Sequence, residues 1–131
     1  MIIVDTSALI CLLYQEPEAA AFTSIMAREG GALKMSAANY AEAGIVIDAN
    51  DDEPLSERLD QLIALLGIEI EPVTHDHALI ARRAYRSFGK GYHVARLNFG
   101  DCFAYALAKA EDAPLLFKGN DFAKTDVAAA I

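Results

Sequence analysis

The chain opens on an unbroken apolar run, Met1–Val4, and its β-branched residues predict a strand buried on both faces. Asp5, Thr6 and Ser7 follow, and each can cap the short apolar helix predicted over Ala8–Tyr14. Pro17 stands where the first residue of a helix would, and Glu18–Glu29 continues as a helix that Gly30–Gly31 ends. Ala32–Met35 reads as a second strand, and Ser36 starts a helix running to about Asp48. After the polar break Asn50–Pro54, Leu55, Leu59, Leu62, Ile63 and Leu66 repeat at helical spacing up to Gly67. Ile68–Val73 is a third strand. Thr74 caps a helix through Phe88, with Ile80, Ala81, Ala84 and Phe88 as its inner stripe and Gly89 as its stop. A loop to about Asn98 leads to a helix over Phe99–Glu111, then a strand over Leu115–Lys118 and a turn at Gly119–Asn120. The tail from Asp121 shows no clear period.

Strands thus alternate with helices, connections are long enough for crossovers, and no hairpin signal interrupts them. That pattern predicts an α/β protein with a parallel sheet covered on both faces, in one domain over residues 1–131. In such sheets the chemistry lies beyond the carboxyl ends of the strands.

Composition narrows the class. A hydrophobic fraction of 54 % supplies a real core and excludes a disordered chain. The net charge of −8 argues against coating DNA or an anionic membrane by bulk charge. The longest apolar runs, Ala8–Tyr14 and Cys102–Ala108, fall well short of the roughly 20 residues of a membrane span. No Lys or Arg precedes Arg28, so the basic start of a signal peptide is missing and a cytoplasmic location is expected. Cys11 and Cys102 lie far apart in apolar segments and read as buried free thiols.

Most of the acids cluster around the polar break and read as a solvated edge. Four do not. Asp5 ends the first strand, where an N-cap role is the alternative. Glu42 is the sole charge of a helix whose neighbours suit burial, and a lone buried carboxylate is costly unless paired or bound to metal. Asp101 lies in the first turn of an otherwise uncharged helix, where the helix dipole alone would favour it. Asp121 follows the last strand, as a turn residue could, with Asp126 near enough to compete. A parallel sheet brings all four to one edge. Carboxylates so gathered repel unless a cation neutralises them, and an oxygen-only set suits Mg²⁺ or Mn²⁺. Such a site without a phosphate loop fits phosphodiester hydrolysis.

A polyanionic substrate fits the stretch from His77 to Gly100, which holds Arg82, Arg83, Arg86, Lys90 and Arg96 and no acid. The alternative is an ordinary solvated face. Tyr92 and His93 are candidates for stacking on unpaired bases, whereas His75 and His77, at a helix start, read as structural.

Four segments carry a family resemblance: Val4–Leu9 (VDTSAL), Ser36–Ala43 (SAANYAEA), Leu97–Ala108 (LNFGDCFAYALA) and Leu116–Phe122 (LFKGNDF). In this order they are similar to PIN-domain toxins of the VapC type. The resemblance implies a three-layer α/β/α fold with a central parallel sheet of about four to five strands. It implies a Mg²⁺- or Mn²⁺-dependent endoribonuclease acting on structured RNA such as tRNA or rRNA, with Asp5, Glu42, Asp101 and Asp121 as catalytic and metal-holding acids and Ser7 and Asn120 as accessory groups. It also implies a homodimer and a VapB-type antitoxin. Two rivals stand beside it: a phospho-acceptor receiver domain using Asp5 and Lys118, and a PIN-like binding module that does not cleave.

Overall fold

The computed structural model describes residues 1–131. Four parallel strands form one sheet: β1 (Ile2–Val4), β2 (Leu33–Ser36), β3 (Ile68–Glu71) and β4 (Leu115–Leu116), in the spatial order β3-β2-β1-β4. Six helices connect and cover them: α1 (Thr6–Leu13), α2 (Ala19–Arg28), α3 (Ala37–Asp48), α4 (Glu53–Leu66), α5 (His75–Phe88) and α6 (Phe99–Ala110). The register is set by Ile3, which pairs with Lys34 of β2 on one side and Leu115 of β4 on the other.

β1 is central because it can be buried on both faces, and alternation along it builds two cores. Ile2 and Val4 face the core made with α1, α2, α3 and α4, through Leu9, Phe22, Ile47 and Leu59 among others. Ile3 faces the opposite way, with Leu115, into the core made with α5 and α6 around Leu97, Tyr105 and Leu107. Cys11 and Cys102 are buried free thiols, one in each core. No helix is long and apolar enough to cross a membrane.

Helix ends follow local chemistry. Asp52 accepts the Leu55 amide to cap α4, so Glu53 and Pro54 belong to its first turn rather than to the preceding break. Gly67 ends α4 at φ 68°, a left-handed position that glycine takes without strain. Thr74 and His77 close a capping box on α5, the structural role expected of that histidine. Two expectations need correction. Pro17 precedes rather than begins α2, whose cap residue is Glu18. β3 and β4 are shorter than their apolar runs, because pairing partners end at Glu71 and Leu116. The tail, unassigned from sequence, bridges Ala129 in parallel to Leu115 at the open edge of β4.

Candidate active site

The chain winds from β1 outward to β2 and β3, then returns to place β4 on the other side of β1. This reversal opens a crevice at the carboxyl ends of β1 and β4.

Asp5 leaves β1 there and caps α1. Its Oδ2 accepts the Ser7 amide at 3.0 Å and the Ser7 hydroxyl at 2.6 Å. Capping uses only that oxygen. The other, Oδ1, is buried without a partner, which costs about 1–3 kcal/mol in the absence of a compensating group. Ser7 Oγ also accepts the Lys118 amide at 2.9 Å, tying the end of β1 to the end of β4.

Glu42 comes from α3, which is not the wholly buried helix its composition suggests. Only Asn39, Ala43 and Ile47 are buried, while Ile45 and Val46 are exposed. Glu42 is half-buried on the inward side. Its Oε1 accepts the Thr6 hydroxyl at 2.6 Å, and its carboxylate lies so close to Gly100 that a Cβ at that position would overlap it. Asn39, fully buried, donates from Nδ2 to the Gly100 carbonyl at 2.9 Å and so locks α3 to the first turn of α6.

Asp101 occupies that first turn in a reciprocal cap. The Asn98 amide donates to Asp101 Oδ2 at 2.9 Å, and the Asp101 amide donates to Asn98 Oδ1 at 2.8 Å. Asp121 is exposed at the start of the 3₁₀ turn Phe122–Lys124 and caps nothing through its side chain.

The four acids share one field. Burial pushes Asp5 up to about 7, against the two Ser7 bonds, and the charges of Asp101 and Glu42 raise it further. Asp101 is pushed up to about 6, chiefly by burial; the Asn98 bond opposes this, and the charges of Glu42 and Asp121 add to it. No three of the protein's His, Cys, Asp or Glu side chains close into a cage. Asp5, Glu42 and Asp101 each have one oxygen engaged by a neighbouring donor and one left over. An open set of oxygen donors around an orphaned buried acceptor fits a hard divalent ion that keeps much of its water.

Other predicted residues are placed differently. Asp126 does not join the cluster. It accepts the Tyr105 hydroxyl at 2.6 Å and pairs with Lys109 at 3.3 Å, and the Tyr105 bond holds its carboxyl below the usual range. Asp126→Ala should therefore cost about 1–3 kcal/mol by orphaning the Tyr105 hydroxyl, without changing turnover per folded molecule. Urea unfolding and initial rates check this, and a collapse in rate would return Asp126 to the site. Lys118 pairs with Glu16 at 3.2 Å and Glu18 at 3.8 Å. It thus turns away from Asp5, which removes the geometric basis of a receiver. Asn120 stands exposed in the turn after β4.

The five basic residues do not form one track. Arg82 and Arg86 line a groove between α5 and α6, while Arg83 lies outside it. Lys90 and Arg96 line a separate, shallower depression with Tyr92. His93 is committed to the loop, since its Nδ1 accepts the Ala95 amide at 3.0 Å and its ring meets Phe88 edge-on.

Sequence reasoning missed Thr6, Asn39, Asn98 and Gly100 as site residues. Two left a readable signal. Asn39 precedes Glu42 by one helical turn on the same face, and Asn98 precedes Asp101 at capping-box spacing.

Comparison with known proteins agrees with this architecture. The PIN domain family model matches residues 2–128. Ribonuclease VapC28 of Mycobacterium tuberculosis is 48 % identical over 130 residues, covering 98 % of this chain and 97 % of the relative. Ribonuclease VapC of Mycolicibacterium smegmatis is 46 % identical over 127 residues, covering 97 % and 98 %. Among solved structures, Mycobacterium tuberculosis VapC20, a Sarcin-Ricin loop cleaving toxin, superposes with a TM-score of 0.78 at 15 % identity, covering 97 % of this chain and 96 % of that one. VapBC2 from Rickettsia felis, bound to a DNA fragment from its promoter, gives 0.77 at 14 % identity, covering 98 % and 96 %. The chain belongs to the PIN-domain family, in its VapC-type branch.

Proposed function

We propose that this chain, acting as one PIN domain in the cytoplasm, is a metal-dependent endoribonuclease and the toxin of a toxin–antitoxin pair. The observation that carries the site is the buried, unpartnered Asp5 Oδ1, on a carboxylate repelled by Asp101 and Glu42, with Asp121 acting on Asp101. The relatives named ribonuclease VapC support the activity.

Asp5, Glu42, Asp101 and Asp121 would hold Mg²⁺ or Mn²⁺. When bound, the ion polarises the phosphoryl oxygen and makes water nucleophilic near neutral pH. The chain's own groups set the geometry. Ser7 orients Asp5, Thr6 orients Glu42 and Asn98 orients Asp101, so each carboxylate keeps one oxygen free of protein donors. Water is added across one P–O bond of the backbone, and the departing ribose oxygen takes up a proton. Arg82, Arg83, Arg86, Lys90 and Arg96 contact backbone phosphates without reading sequence. Structured RNA such as tRNA or rRNA is the substrate class. Assembly is as a homodimer with a VapB-type antitoxin; solved neighbours that are toxin–antitoxin complexes support such a partner.

The test is to incubate protein freed of co-purifying partner with total cellular RNA, with Mg²⁺, with Mn²⁺ or with chelator, beside Asp101→Asn. Discrete fragments that require metal and are missing from the variant are expected. Intact RNA under every condition, once partner carry-over is excluded, would leave the non-cleaving module as the correct reading.

A further inference from the structure

We propose that the groove between α5 and α6 is a nucleobase pocket, taking one unpaired base of the RNA near the phosphate presented to the acid cluster. The proposal rests on the ribonuclease reading and adds to it a residue, Phe99, that grips the substrate.

Phe99 is 76 % exposed at the first position of α6. A phenyl ring so exposed buries little of its surface in the fold. It is nevertheless held in place: Phe103, one turn on, meets it edge-on with centroids 4.9 Å apart and planes at 79°. Tyr85 lines the α5 side and is itself braced, by a T-shaped contact with Tyr92 at 5.9 Å and by its hydroxyl on the Lys90 carbonyl at 3.3 Å. Cys102, buried, completes an apolar lining. The cavity measures about 430 Å³, within the range of sites that hold small planar ligands.

The rim specifies the occupant. Arg82 and Arg86 line the groove, and no acid does. Neither arginine is engaged by a carboxylate, whereas the lysines at 34, 109 and 118 all are. Aromatic faces with free guanidinium groups suit a base and its flanking phosphates.

Position completes the argument. Phe99 and Asp101 share the first turn of α6. They point to opposite sides of a helix whose width with side chains is about 10–12 Å. A strand crossing the end of α6 at about 3.4 Å per nucleotide spans that width in about three nucleotides.

The test measures binding in chelator, where cleavage does not intervene. The probe is a short single-stranded oligoribonucleotide, with an abasic site moved along it one position at a time. Phe99→Ala should weaken binding roughly 5- to 150-fold, the loss of one stacked base, and Phe99→Trp should restore it. One abasic position should weaken wild type by a similar factor and leave Phe99→Ala unaffected. Arg82→Ala and Arg86→Ala should each reduce the salt slope by about 0.7. Circular dichroism confirms folding of each variant.

Equal binding by Phe99→Ala, or an abasic loss that persists in it, overturns the proposal. So does a Phe99→Ala protein whose only change is a smaller mass in solution, which would make the groove an interface between copies. Phe99-dependent capture of a polyglutamate peptide but not of RNA would make it a peptide site, and also overturns it. If wild type cleaves RNA and Phe99→Ala is indifferent, the pocket falls alone. If Phe99-dependent binding holds and no metal supports cleavage, the ribonuclease reading falls alone.

Discussion

Asp5→Asn is expected to abolish RNA cleavage and, in metal-free buffer at pH 8, to make the protein more stable than wild type. Loss of a metal-holding charge removes several kcal/mol of transition-state stabilisation, a fall in rate of about 10³-fold or more. The stability gain follows from burial. Asp5 is 3 % exposed, and its carboxyl is pushed from an ordinary 3.8 up to about 7. A carboxyl whose folded value lies above its unfolded one favours the fold at low pH, where it is neutral in both states. That contribution is lost as pH rises from about 4 through about 7. Above that window, wild type carries an unneutralised buried charge that asparagine does not, worth about 2–4 kcal/mol. Asparagine also keeps the helix cap, since it can accept the Ser7 amide as aspartate does. Urea unfolding in chelator from pH 4 to pH 8 should show the two proteins converging at the acid end and separating at the alkaline end. Adding Mg²⁺ or Mn²⁺ should then stabilise wild type and leave the variant unmoved. A variant less stable than wild type at pH 8 would mean that Asp5 is already neutralised by the fold and is not a site for a cation.

The second large effect removes no chemical group at all. Gly100→Ala should lower cleavage to the level of Glu42→Ala while changing stability little, because the atoms that must give way are the end of a flexible side chain. A Cβ at position 100 overlaps the carboxylate carbon and both oxygens of Glu42. The helix cannot retreat, because the Gly100 carbonyl is held by Asn39 at 2.9 Å. Glu42 must therefore swing away from Thr6 and out of the cluster. Gly44→Ala is the matched control. It too is a glycine inside a helix, but its Cβ would meet only Leu59 Cδ2, at 3.8 Å. There alanine should stabilise by about 0.5–1 kcal/mol through helix propensity and leave the rate alone. Thermal unfolding and initial rates on the pair separate a crowded site from a general intolerance of alanine. If Gly100→Ala cleaves normally, Glu42 is not held where the structure places it.

The alternation of strands and helices, their parallel sense and the positions of all four acids were readable along the chain. Each rests on a local rule: a period of two or of three and a half, a cap residue, a glycine stop. Given a parallel sheet, an acid just after a strand must lie on the common edge, so Asp5 could be read from the four residues before it. α3 shows where such rules stop. Its apolar residues surround the helix, and composition cannot say which of them turn inward. Only packing against α1 and α6 buries Asn39 and Ala43 while leaving Ile45 and Val46 in water. The basic residues show the same limit, since sequence supplies the charges but not the groove that separates Arg82 and Arg86 from Lys90 and Arg96.

The sequence by itself thus determined the class of fold and the acids that follow its strands, because both follow from neighbours within a few residues. The tertiary structure alone decided how those acids are held. Thr6 reaches Glu42 across 36 residues, Asn39 reaches Gly100 across 61, and Ser7 meets Lys118 across 111. Contacts between segments so far apart come into being only when packing sets helix against helix and strand beside strand.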